Sequence, residues 1–139
     1  MFNWFPAYRG TGGRITYIAA DWSEVRVRLP LSWRTRNYVG TIFGGSMYGA
    51  VDPVFMIMLI NLLGRDYVVW DKAATIRFRR PGRTTLYATF RLAPEDVDSI
   101  RREVAEGGRA ERTFVVELRD EAGEVHASCE KLLSIRARR

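Results

Sequence analysis

Two periodicities divide the chain. Val25, Val27 and Leu29 alternate with Glu24, Arg26 and Arg28, the period of two expected of a strand with one buried face. The alternation returns at Leu86, Ala88, Phe90 and Leu92 against Thr85, Tyr87, Thr89 and Arg91. Residues 14–20, 67–80, 110–119 and 124–137 are rich in β-formers and predict further strands, with a bend near Asp71-Lys72 and a turn at residues 120–123. Val54 to Leu63 has no polar face; only Asn61 interrupts it, so a helix there must be covered on most sides. That helix is expected from Gly45 or Ser46 to about Leu63, with Gly64 as its stop. Pro53 removes a backbone donor inside it, which predicts a kink or restart at Asp52-Pro53. Residues 94–105 carry Val97, Ile100 and Val104 as a stripe, with acidic residues first and basic ones later, a short amphipathic helix. The economical arrangement is an α+β domain: an antiparallel sheet of about six strands wrapped around one long central helix, plus one short helix.

Composition narrows the classes. The 139 residues fit a single domain over 14–139, preceded by an aromatic and Gly-rich segment, 1–13, expected to pack an aromatic knob onto it. A single cysteine, Cys129, excludes an internal disulfide and suits a reducing cytoplasm. With one histidine, His126, and no cysteine pair, no metal site is expected. The first residues lack the basic start and apolar core of a secretory signal. The longest apolar run falls far short of the roughly 20 residues of a membrane span, so none is expected. A net charge of +6 draws polyanions, including phosphorylated cofactors and nucleic acid. No aromatic strand motif or zinc knuckle accompanies it, so a nucleic-acid partner is not expected.

Candidate chemistry concentrates between Asn37 and Pro53. The pair Gly44-Gly45 allows a tight entry into the central helix, whose first N–H groups lack internal partners and suit an oxygen that becomes negative during a reaction. Asp52, seven residues beyond Gly45, falls on nearly the same helix face. Two readings of it stand side by side. Asp-Pro is a common helix start, with aspartate as N-cap; alternatively the carboxylate serves as general base or nucleophile. Asn37 either orients water or stabilises its own loop by hydrogen bonds. Arg77 and Arg80, near the turn Pro81-Gly82, are placed either to grip phosphates or to form a solvated face.

The spacing of Asn37, Gly44-Gly45 and Asp52 resembles that of the hotdog-fold acyl-CoA thioesterases of the phenylacetate-degradation type, whose turn is His-Gly-Gly. The stretches 40–48, 70–78 and 80–83 look closer to a bacterial branch of that superfamily lacking the turn histidine; Phe43 stands in its place here. The resemblance covers about residues 15–135. It implies a hotdog fold and hydrolysis of an acyl-CoA or related thioester, with coenzyme A entering as part of the substrate and no separate cofactor. It assigns catalysis to Asp52, the Gly45 N–H and Asn37, and substrate contact to Gly44, Phe43 and Ser46. It also implies a homodimer or homotetramer with the site between subunits, completed from the region of Asp71, Lys72 and Thr75, and Arg77 and Arg80 against the coenzyme A phosphates. The missing histidine motivates an alternative, a non-catalytic acyl-CoA binding protein on the same fold.

Overall fold

The computed structural model describes residues 2–139, of Phe2 the backbone only. A 3-10 turn at Phe2–Trp4 and a one-turn helix α1 (Pro6–Arg9) precede the hairpin β1 (Arg14–Ile18) and β2 (Glu24–Leu29). The central helix comes next as two pieces, α2 (Gly44–Val51) and α3 (Val54–Leu63). Then come β3 (Tyr67–Phe78), β4 (Leu86–Arg91), α4 (Pro94–Gly107), β5 (Arg109–Arg119) and β6 (Val125–Ala137). The six strands form one antiparallel sheet in the order β1-β2-β4-β5-β6-β3. Both helix pieces lie in its concave face. This is the hotdog arrangement, with the alternating residues of β2 and β4 turned inward as their period requires.

The core shows why α3 carries no polar stripe. Phe55 packs edge-on against Phe90 of β4, centroids 5.0 Å apart, and stacks on Phe114 of β5 at 5.2 Å. Val54, Met58, Leu59 and Leu63 are buried around it. Residues 44–63 are long and apolar enough to cross a membrane by length and composition alone, but half of the stretch is buried in the domain, as a core helix must be.

Two irregularities shape the region around Asp52. Pro53 breaks the helix where expected, so α2 ends at Val51 and α3 restarts at Val54. In β3 the register slips between Asp71 and Ala73, at the bend expected from the sequence. Asp71 lies opposite Leu133, Ala73 opposite Leu132 and Ala74 opposite Lys131, so the strand carries one extra residue at this point. The short helix runs two residues past its expected end, to Gly107; Gly108 then stops it in the left-handed conformation, φ 81°.

Candidate active site

The helix break, the bulge and β6 meet at one cluster of charge. Tyr48 and Asp52 are four residues apart along the central helix and so lie one above the other; the Tyr48 hydroxyl donates to Asp52 Oδ1 at 2.8 Å. The Lys131 ammonium, reaching inward from β6, bonds the same Oδ1 and lies 3.2 Å from the Tyr48 oxygen. Asp71 Oδ1 is 3.3 Å from Lys131 Nζ but finds no aligned hydrogen-bond donor among the described residues. Lys131 is 1% exposed, whereas the Asp52 side chain is 42% exposed. One end of the cluster is therefore sealed and the other is open.

The electrostatics arise from that geometry. Burial of the Lys131 ammonium pulls its pKa down, but the bonds to Asp52 and Tyr48 and the charges of Asp52 and Asp71 outweigh it, and the net shift is upward. With the folded value raised, this contribution to stability is complete below the ordinary lysine range and is lost only as the pH rises through the folded value. Burial lifts Asp71 above the usual carboxylate range despite Lys131 beside it, and Asp52 adds to the rise. Burial and the bond to Asp52 raise Tyr48 as well.

Of the two readings of Asp52, the N-cap reading is overturned. Asp52 keeps helical angles (φ −49°, ψ −53°) and donates its backbone N–H to Tyr48, closing the last turn of α2. Pro53 precedes α3, and no side chain caps that helix. The carboxylate is thus committed to the charge cluster through Oδ1, and Oδ2 makes no hydrogen bond among the described residues.

The other expected residues gather elsewhere. Asn37 closes its own loop: Oδ1 accepts from Val39 and Thr41 N–H, and Nδ2 donates to the Thr41 hydroxyl at 2.8 Å. It shares a cavity of about 360 Å³ with Gly44, Met47, Phe78 and Arg80. Gly44 and Gly45 open α2, ahead of any carbonyl four residues back within the helix. The exposed Phe43 ring lies against Gly45, where an added Cβ would come within 2.4 Å of it; Phe78 covers Gly44 in the same way. Ser46 is buried, its N–H spent on the Phe43 carbonyl. Within one chain this turn is about 10 Å along the helix axis from Asp52, at 1.5 Å per residue.

Lys72, on the bulge, pairs with Glu111 at 2.5 Å on the exposed face, and Arg80 pairs with Glu124 at 3.1 Å. Such surface pairs hold little energy. Thr75 and Arg77 are exposed on β3. His126 is away from the cluster, its ring nitrogens 3.0 Å from the Pro81 carbonyl and 2.9 Å from Asp120 Oδ2. Cys129 is buried, its thiol pushed up to about 11 by burial, which is unsuited to a nucleophile. The residue missed from sequence is Lys131. Its signal was a lysine among Cys129, Leu133 and Ile135, at a strand position whose neighbours two residues away are all buried.

Comparison with known proteins agrees with the fold. A Pseudomonas aeruginosa protein described as a probable thioesterase, PA5026, superposes with a TM-score of 0.83 at 26% identity, over 94% of this chain and 86% of that one. A protein of unknown function from Chlorobaculum tepidum gives 0.79 at 13% identity, over 99% and 90%. Thioesterase HI1161 of Haemophilus influenzae gives 0.72 at 14% identity, over 98% and 86%. No curated protein matches the sequence. Residues 1–135 match a single protein family along nearly the whole chain, and the protein belongs to that family, described as a domain of unknown function (DUF4442).

Proposed function

We propose that the protein hydrolyses an acyl-CoA or related thioester at Asp52. The observation that carries this is the carboxylate at the helix break, fixed through one oxygen by Lys131 and Tyr48 with the other oxygen open. Asp52 takes a proton from water as the water oxygen attacks the thioester carbonyl, or attacks it directly to give an anhydride that water then opens. In either case the carbon–sulfur bond breaks and the sulfur leaves as a thiol after taking up a proton. The Gly45 N–H stabilises the oxyanion; one such donor is typically worth about 2.7–4 kcal/mol in the transition state.

Gly45 and Asp52 of one chain are too far apart to act on one carbonyl, so we assign the two roles to different subunits. The sheet supports this reading. β3 is its last strand, 12 residues long, and its outer edge has no strand partner among the described residues. A second copy pairing along that edge would satisfy the open backbone groups. It would also bring Lys72, Thr75 and Arg77 near the shared site, which Asp71 already adjoins within its own chain. Sedimentation equilibrium is expected to give at least twice the chain mass of 16.0 kDa at working concentration. A monomer that still turns over would end the two-subunit assignment.

The thioesterase reading is tested by thiol release from short, long and aryl acyl-CoAs. One observation favours a second reading, a non-catalytic acyl-CoA binder: the Phe43 ring stands against Gly45, beside the proposed oxyanion donor. Saturable binding without thiol release on every substrate would select that reading; turnover of any of them excludes it.

A further inference from the structure

Residues 3–13 are fixed to the central helix beside Asp52. Asn3 pairs with the backbone of Ile15 through both side-chain atoms, Nδ2 to the carbonyl at 3.0 Å and Oδ1 from the N–H at 2.8 Å. The buried Tyr8 hydroxyl donates to the Ala50 carbonyl at 2.8 Å, within the last turn of α2. The backbones then approach closely. A Cβ added at Gly13 would lie 2.8 Å from the Ala50 methyl, and one at Gly49 would lie 2.6 Å from the Thr11 methyl. Only glycine permits this seating at either place. Between segment and helix remains a cavity of about 330 Å³, lined by Phe5, Ala7, Tyr8, Thr11, Gly49, Asp52 and Pro53. Its walls are largely hydrocarbon, and Asp52 is the one carboxylate on them.

We infer that this cavity receives the acyl chain of the substrate, and that the N-terminal segment sets the chain length accepted. The inference rests on the proposed thioester chemistry, since it places the acyl group next to the carbonyl that Asp52 addresses. An apolar recess ending at a single carboxylate suits a hydrocarbon tail with its reactive head at the rim. At about 30 Å³ per water-sized group, the space takes roughly ten non-hydrogen atoms, a medium-length or aryl acyl group. Ala7 contributes only a methyl group from an exposed position on α1, so it is the wall that a larger side chain would bring inward without disturbing the seating of Tyr8.

The test uses S-alkyl-CoA thioethers from ethyl to decyl. They lack the carbonyl, so they report binding whether or not the protein turns over thioesters. With the wild-type protein, calorimetric affinity is expected to rise about fourfold per methylene and level off near eight to ten carbons. With Ala7→Trp it should level off several carbons sooner while ethyl-CoA affinity stays within twofold, and Ala7→Leu should fall between. The same chain-length profile in all three proteins overturns the inference, as does a wild-type protein that binds no thioether. Failure of the thioesterase reading would show separately, as absent thiol release from acyl-CoA by a protein that still sorts thioethers by length.

Discussion

Replacing Lys131 by methionine is expected to lower the melting temperature by roughly 10 °C at pH 7. The substitution keeps the length and hydrocarbon of the side chain, so it removes charge without opening a cavity. What remains is two carboxylates, Asp52 and Asp71, facing a site that has lost its cation. Removing one partner of a buried ion pair typically costs about 3–5 kcal/mol. Asp52 is 42% exposed and water can solvate it, so the lower end, about 3 kcal/mol, applies. For a chain of this size that corresponds to roughly 10 °C. The deficit should depend on pH with a definite sign. Burial already holds the Asp71 carboxyl above the usual range. Without Lys131 it rises further, the folded state binds the proton more tightly than the unfolded one, and stability increases as the pH falls. Melts of both proteins at pH 5 and pH 7 are expected to lie closer together at pH 5. An equal or wider gap there would mean that the cluster is not held together by Lys131.

The parts of this fold that were legible in the sequence are those that depend on a local period or a local break. Alternation gave β2 and β4, whose inner faces are buried in the pattern written in the chain. Pro53 announced the interruption of the central helix, and Asp71-Lys72 the irregularity in β3. The site was legible only as far as one segment could carry it. Asp52 and the Gly-Gly turn share a stretch, and their spacing could be counted. Lys131, 79 residues beyond Asp52, is joined to it by tertiary packing alone. The local rule that reads Asp-Pro as a helix start also failed: Asp52 completes the last turn of α2, and its carboxylate meets Lys131 instead of capping α3. That the first residues would pack an aromatic side chain onto the domain was expected, and Tyr8 is buried; where residues 3–13 seat on the helix was illegible for the same reason. It is written in two glycines, Gly13 and Gly49, whose purpose shows only when the backbones meet.

The second large effect concerns Asp52 itself. Asparagine has nearly the same shape and can still accept from the Tyr48 hydroxyl, while Asp71 remains to accompany Lys131. The fold should therefore survive Asp52→Asn. Chemistry should not, because an amide neither takes a proton from water nor attacks a carbonyl at neutral pH. Loss of a positioned general base costs about 10²–10⁴-fold. In either role no other group near the open oxygen, among the described residues, can substitute, which places the loss at the upper end, so a fall of about 10³-fold or more is expected in kcat, with KM little changed. A side chain acting only through stability would instead shift the melting temperature and leave kcat per folded molecule intact.

The decisive measurement is the initial rate of thiol release by wild type and Asp52→Asn in parallel, on the acyl-CoA that the wild type turns over fastest, with both proteins shown folded by their melting curves. The expected result is a kcat ratio of about 10³ or more. A folded Asp52→Asn protein within about threefold of wild type would contradict the assignment of the chemistry to the helix break.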